Sequence, residues 1–194
     1  MEISKDSVAL KQVSAEELLK EYANGRRDFS GLEFAKGMDL RYANLEGVIF
    51  NGAKLKGANL YGAKLKGAHL EHTYLKGVNL EVADLQGANF RYALLNDAKL
   101  KNADLEKANF RMAELEDANL SGAYLMNADF VGANLKYTNF RNANLIDADG
   151  LVCKDNTNNI EYAIFEHTHV TEEQNDSITA AILQGKFDVI KLRK

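Results

Sequence analysis

Residues 53–67 read AKLKG ANLYG AKLKG, and this five-residue unit decides the fold. From Leu40 to Leu145 every fifth residue is Leu or Phe, at 22 positions in all. Two residues before each of them stands a small residue, which is Ala at 17 of the 22 positions. The residue between is Asn or Asp at 13 of them. An internal repeat of this extent sets the architecture of the chain.

A period of five matches neither a helix nor a plain strand, so each unit combines two local structures. The triplet Ala-Asn-Leu alternates inward, outward and inward, as a strand does over three residues. The next two residues are Gly, charged or polar, as in Glu46-Gly47 and Lys56-Gly57. Gly adopts backbone conformations that other residues resist, which favours a turn there. Each pentapeptide is therefore predicted to form one short side and one corner of a coil.

The phenylalanines indicate how many sides the coil has. Phe50, Phe90, Phe110 and Phe130 are separated by multiples of 20, and Phe140 falls outside that set. A four-sided coil, built from four pentapeptides, would stack these four rings on one side, whereas a triangular coil of three pentapeptides would scatter them. We therefore expect four sides, a core of Leu, Phe and Ala, and ladders of Asn and Asp side chains along the rod.

These repeats resemble those of a known family. Residues 58–62, Ala-Asn-Leu-Tyr-Gly, and residues 88–91, Ala-Asn-Phe-Arg, resemble the A(D/N)LXX motif of the pentapeptide repeat family. The resemblance covers residues 38–147 without a break. It implies an all-β fold, a right-handed quadrilateral parallel β-helix. Residues 16–29 also resemble the N-terminal cap of cyanobacterial members.

Three segments are predicted along the chain. Residues 1–37 form an N-terminal segment with degenerate repeats at Phe29 and Phe34. Its capping helix should run from Ala15 to Ala23, because Ser14 and Glu17 form a capping box, and Leu18, Leu19 and Tyr22 should sit on the first coil. Residues 38–147 form the β-helix. Residues 148–194 comprise a polar loop, a further coil through Ile160, Phe165 and Val170, and a C-terminal helix and tail. Short helical caps at both ends would cover the open edges of the rod.

Charge limits the classes of partner. The net charge is −4 and the pI is near 5.6, which argues against a nucleic-acid binder. Some pentapeptide repeat proteins protect type II topoisomerases such as gyrase by imitating a DNA duplex. That role requires a strongly negative body, whereas residues 38–147 carry 13 basic and 13 acidic side chains. DNA mimicry is therefore the disfavoured alternative.

No constellation of catalytic residues is found. The pairs His69/His72 and His167/His169 lack the ligand spacing of structural zinc motifs, and we interpret them as surface histidines. Cys153 lies in a polar loop without a neighbouring base, which indicates an unactivated thiol. We therefore expect no enzyme activity, no metal and no cofactor. The first residues lack the apolar run of a signal peptide or membrane span, so the cytoplasm is the expected location.

The repeat register places four apolar side chains together on the outside of the rod. Tyr74 and Leu94 occupy the outward middle position of one side, and Tyr92 and Met112 share a corner position. Contiguous exposed apolar area marks interaction sites, although scattered surface aromatics are common. The sequence thus predicts a non-enzymatic protein–protein interaction or scaffolding module with an unknown protein partner. We favour a monomer, its tail at residues 187–192 folded on its own chain, over a dimer formed through that tail.

Overall fold

The computed structural model describes residues 12–151 together with Thr171, Glu172 and Gln174. Within this part of the chain, parallel bridges join outward residues that lie 20 positions apart, as in Asn59 to Asn79 and Asn79 to Lys99. One coil therefore consists of four pentapeptides, one for each side. The chain folds as a right-handed quadrilateral parallel β-helix. The spacing of the phenylalanines predicts its four sides, and the family resemblance implies its handedness.

Each corner is a tight turn with an unusual second residue. The N–H of Ala43 donates to the carbonyl of Leu40 across 3.1 Å, which closes a β-turn around Arg41 and Tyr42. The second corner residue has a φ near +60°, the requirement of a type II turn. Gly satisfies it without strain, yet thirteen non-glycine residues adopt it: Tyr42, His72, Val82, Tyr92, Asp97, Asn102, Lys107, Met112, Asp117, Asn127, Tyr137, Asn142 and Asp147.

The outward Asn and Asp side chains act differently from the predicted ladders. The Oδ1 atom of Asn59 accepts the backbone N–H of Tyr61, two residues later, at 3.2 Å. All thirteen Asn and Asp at this position make the same bond to the first corner residue. That N–H begins the turn and points away from the neighbouring coil, so a short side-chain acceptor satisfies it. These Oδ1 atoms therefore bind their own corner instead of forming ladders, whereas the Asn134 Nδ2 atom donates to Glu114 on the preceding coil at 2.9 Å.

The core is a column of inward Leu, Phe and Ala side chains that are almost completely buried. The Phe90 and Phe110 rings stack with centroids 4.9 Å apart, and Phe110 stacks on Phe130 at 5.0 Å. Two threonines take the small inward position, and their hydroxyls are satisfied. Thr73 donates to the carbonyl of Phe50, and Thr138 donates to that of Leu115, each at 2.9 Å.

The N-terminal end is closed by helix α1, Ala15–Ala23. Ser14 Oγ accepts the N–H of Glu17 at 3.1 Å, and the Glu17 carboxylate accepts the N–H of Ser14 at 3.0 Å. This capping box confirms the predicted helix start. Leu18 is fully buried against the first coil, whereas the expectation that Leu19 also packs there was wrong, because Leu19 faces outward.

A one-residue insertion precedes the regular repeats. Phe29 and Phe34 are buried, as expected for degenerate repeat positions. Their neighbours Asp28 and Glu33 bridge to residues 21 positions ahead, whereas Asp39 bridges 20 positions ahead to Asn59. The extra residue thus lies between Phe34 and Asp39, at the corner that contains Gly37.

The C-terminal end is described at three residues. Thr171 and Gln174 form a reciprocal capping box, with bonds of 2.7 and 3.3 Å, and Glu172 and Gln174 are helical. The Gln174 amide also donates to the carbonyls of Leu145 and Ala148, at 3.0 and 2.7 Å, on the last coil.

Several predictions concern residues outside the described part of the chain: Cys153, the pair His167/His169, the coil through Ile160, Phe165 and Val170, and the tail at residues 187–192. No described helix is long and apolar enough to cross a membrane.

Candidate protein-interaction surface

One side of the rod carries the predicted partner-binding residues, and we call it the tyrosine side. Its outward residues, one coil apart, are Lys54, Tyr74, Leu94 and Glu114. The corner before it, the preceding corner, carries residues 51–52, 71–72, 91–92 and 111–112. The corner after it, the following corner, carries residues 56–57, 76–77, 96–97 and 116–117.

The structure brings the four predicted apolar residues into one patch. Tyr74 and Leu94 are bridge partners on adjacent coils of the tyrosine side. The N–H of Tyr92 donates to the carbonyl of Arg111 at 3.1 Å, which places Tyr92 one coil before Met112 on the preceding corner. Tyr74 is 48%, Tyr92 40% and Met112 50% exposed, whereas Leu94 is half-buried.

His72 also belongs to the patch, and sequence reasoning missed this role. Its ring stacks on the ring of Tyr92, with the centroids 4.8 Å apart and the planes 5° from parallel. The guanidinium of Arg91 lies 5.3 Å from the same tyrosine ring. A histidine one coil before a tyrosine, at the same corner position, was the available signal, but His72 was interpreted only as a surface histidine.

The preceding corner is strained where it carries the patch. His72, Tyr92 and Met112 have φ values of 55°, 58° and 58° on three successive coils. This conformation costs an L-residue about 1–2 kcal/mol, and Gly avoids that cost, as at Gly52 and Gly132 in the same column. Ten other non-glycine corner residues share this conformation, but among the described corners only this column has three side chains larger than Asn at positive φ on successive coils.

Charge is divided between the two ends of the tyrosine side. Lys54, Lys56 and Lys76 lie at its N-terminal end. The Lys54 ammonium lies 2.9 Å from the Glu33 carboxylate, and its hydrogen bond lowers the pKa of Glu33 while the pKa of Lys54 is raised. A shallow cavity of about 330 Å³ opens between Lys54, Lys56 and Tyr74.

The C-terminal end of the tyrosine side is acidic, with Asp97, Glu114, Glu116 and Asp117. An exposed ion pair of 3.5 Å joins Lys76 to Asp97 where the two ends meet. The apolar patch thus lies between a basic region and an acidic one.

Other exposed apolar side chains lie elsewhere on the rod. Tyr42 and Tyr61 pack edge to face at 5.6 Å, and Val82 is exposed one coil beyond Tyr61 on the same corner. Tyr124 and Ile146 are exposed on a different side. Among residues 12–151 and the three described residues beyond, no group of three His, Cys, Asp or Glu side chains could hold a metal ion.

Two family models match the chain. A model described as "Pentapeptide repeat region" matches residues 43–120, and one described as "Pentapeptide repeats (8 copies)" matches residues 123–149. Together they cover more than half of the chain. No curated protein sequence matches it.

Solved structures of several proteins are similar to this rod. A trypsin-treated variant of QnrB1, a plasmid-mediated fluoroquinolone resistance protein, is 19% identical over 85% of this chain and 94% of its own, with a TM-score of 0.45. Rfr23, a pentapeptide repeat protein of the cyanobacterium Cyanothece 51142, is 26% identical over 77% of this chain and 99% of its own, with a TM-score of 0.36.

HetL of Nostoc sp. PCC 7120, a pentapeptide repeat protein involved in heterocyst differentiation regulation, is 26% identical. That similarity covers 81% of this chain and 95% of HetL, with a TM-score of 0.27. With the unbroken five-residue period, the four-sided coil and the two family models in agreement, the chain belongs to the pentapeptide repeat family.

Proposed function

We propose that the protein is a non-enzymatic binding module whose contact surface is the patch of Tyr74, Tyr92, Leu94 and Met112, extended by His72. The observation that carries the proposal is the row of three bulky side chains held at positive φ on successive coils. An exposed Gly or Asn would form the same corners at lower cost. Retention of His, Tyr and Met there is explained by a contact that they make.

The rest of the rod supports a role in binding rather than in catalysis. Leu, Phe and Ala side chains fill the interior, so the coil leaves no internal space for a substrate among the described residues. The short hydrogen-bonded sides make a stiff surface, which loses little conformational entropy when a partner binds. The rod is suited to present fixed side chains to another protein.

Affinity capture from the source organism tests the proposal. The bait is the full chain, and the test variant is Leu94→Lys with Tyr74→Ser. The matched control is Tyr124→Ser, which removes a tyrosine of similar exposure from a different side. We expect the test variant to lose the proteins that the wild type and the control retain. Equal capture by all three baits would contradict the assignment of this surface.

Gyrase binding by DNA mimicry is the alternative, and the charge distribution does not favour it. The repeat body is neutral, because 13 basic side chains balance its 13 acidic ones, and it lacks the strongly negative charge of a duplex. We expect no inhibition of DNA gyrase supercoiling at micromolar protein. Stoichiometric inhibition would replace the present proposal.

The single cysteine, Cys153, further leads us to propose a reducing compartment, the cytoplasm.

A further inference from the structure

We propose that the partner on the tyrosine side is a second copy of this chain, packed antiparallel about a two-fold axis. The axis lies in the interface, between the coil of Tyr74 and the coil of Leu94. This inference rests on the proposed function, because it names the occupant of the same surface. It is carried by the order of the side chains along three neighbouring columns.

The order of each column is fixed by backbone contacts. On the tyrosine side, bridges set the order Lys54, Tyr74, Leu94, Glu114. On the following corner, the N–H of Gly57 donates to Lys76 O at 3.0 Å, that of Gly77 to Asn96 O at 2.9 Å, and that of Asp97 to Glu116 O at 3.0 Å. The order there is Lys56, Lys76, Asn96, Glu116. On the preceding corner, Glu71 is followed by Arg91.

Within these four coils, reversal of the rod makes each column complementary to itself. A two-fold axis between the second and third coils places Lys54 opposite Glu114 and Lys56 opposite Glu116. It also places Tyr74 opposite Leu94, in the centre. On the preceding corner it places Glu71 opposite Arg91. Every charged pair among these is attractive, and each occurs twice in a symmetric dimer, since an isologous contact repeats every interaction.

A parallel dimer of the same sides would not have this property. An axis along the rod places each outward residue opposite its own copy, so Lys54 would meet Lys54 and Glu114 would meet Glu114. Like charges at an interface oppose association and select against such arrangements. The column order therefore specifies the antiparallel orientation.

The charges needed for the contact are accessible. Lys56 is exposed and Glu116 is half-buried, and neither has an ion pair or side-chain hydrogen bond with a described residue. Lys54 pairs with Glu33, and Glu114 accepts a hydrogen bond from Asn134 at 2.9 Å. Both are surface interactions that leave further donors and acceptors, and exposed pairs of this kind contribute little to stability. Lys56 and Glu116 are therefore the most direct test.

The size of the surface predicts a weak dimer. Four coils at about 4.8 Å, by five residues at about 3.3 Å, give a flat area of roughly 300 Å². Stable complexes bury about 800 Å² on each partner. We therefore expect association only at high micromolar concentration and a monomer in dilute solution. None of the residues named in this contact belongs to the C-terminal tail, which decided between monomer and dimer in the sequence analysis.

Sedimentation velocity on the full chain tests the inference, from about 10 µM to about 1 mM protein at roughly 50 mM salt. Lys56→Glu and Glu116→Lys should each weaken dimerisation at least about tenfold, because each turns two attractions into two repulsions. The double variant K56E/E116K should restore dimerisation to within about threefold of the wild type. The control, Lys101→Glu, reverses a charge on another corner and should have no effect.

Three results would overturn the inference: a monomer over the whole concentration range, a dimer that neither single reversal weakens, or a double variant that stays as weak as the singles. The second result would point to association through the tail. Failure here is distinct from failure of the proposed function. A monomeric chain whose L94K/Y74S variant still loses a foreign protein refutes the dimer alone.

Discussion

Val82 is a β-branched residue in a backbone conformation that β-branched residues avoid, and its replacement by Asn should stabilise the protein. Its φ is 59°, it is 50% exposed, and it occupies the second position of a corner. An L-residue pays about 1–2 kcal/mol for the left-handed conformation. Asn is several-fold enriched there and avoids much of that cost.

The net gain follows from what the substitution removes. Val82 is half exposed, so the lost apolar contact is worth at most about 0.7 kcal/mol, half of the lower value of about 1.5 kcal/mol for complete burial of valine. We therefore expect Val82→Asn to raise the free energy of unfolding by about 0.5–1 kcal/mol. For a chain of this length that corresponds to an increase of about 1–4 °C in Tm. Urea and thermal unfolding monitored by circular dichroism measure both quantities.

Val131→Asn is the matched control. Val131 is the first residue of a corner, and its φ is not positive, so there is no strain to relieve. The same chemical change should leave stability unchanged or lower it by about 0.5 kcal/mol. If Val82→Asn destabilises the protein, or if both variants gain equally, then strain at the second corner position does not have the value assigned to it. Strain at His72, Tyr92 and Met112 would then not support a contact surface there either.

Three further predictions concern the core, a corner and the C-terminal end. Leu105→Lys should destabilise the protein by more than about 4 kcal/mol, because it buries an unpaired charge. The outward control Lys101→Glu should change stability by less than about 0.5 kcal/mol. Equal unfolding midpoints for the two variants would mean that inward and outward positions are misassigned. Gly62→Ala places its Cβ 2.8 Å from the Tyr42 ring and should be destabilising, and Tyr42→Ala should recover part of the loss in a double-mutant cycle. If the tail is an intrachain cap, the full-length protein should be a monomer, and deletion of residues 171–194 should cause aggregation through the exposed last coil, which light scattering would detect. A full-length dimer whose truncated form is a soluble monomer would indicate that the tail mediates association.

The repeat and its N-terminal cap were readable from sequence because they depend on local patterns. The inward and outward alternation, the four sides and the limits of α1 each follow from spacing or from a capping box such as that of Ser14 and Glu17. Leu19 was misassigned because α1 presents only a narrow face to the first coil. The sequence of so short a helix does not by itself show how wide that face is.

The corners and the candidate site were less predictable. Positive φ at Tyr92 or Met112 is imposed by closure of the coil, against the local preference of those residues. The sequence likewise did not predict the hydrogen bond from each outward Asn to the next corner, because the same residue type also suits ladders between coils. The four patch residues were found from the register of four pentapeptides per coil. The stacking of His72 on Tyr92 depends on side-chain orientation, which the register does not give.

The four-sided coil also limits how this chain can change in length during evolution. Duplication or loss of one pentapeptide preserves the core but turns every later side by a quarter of a revolution. Tyr74 would then no longer lie beside Leu94 if the change fell between them. Only additions of four pentapeptides keep all sides aligned, whereas the single extra residue near Gly37 is absorbed within one corner. Surfaces built across several coils should therefore restrict insertions far more strictly than the fold itself does.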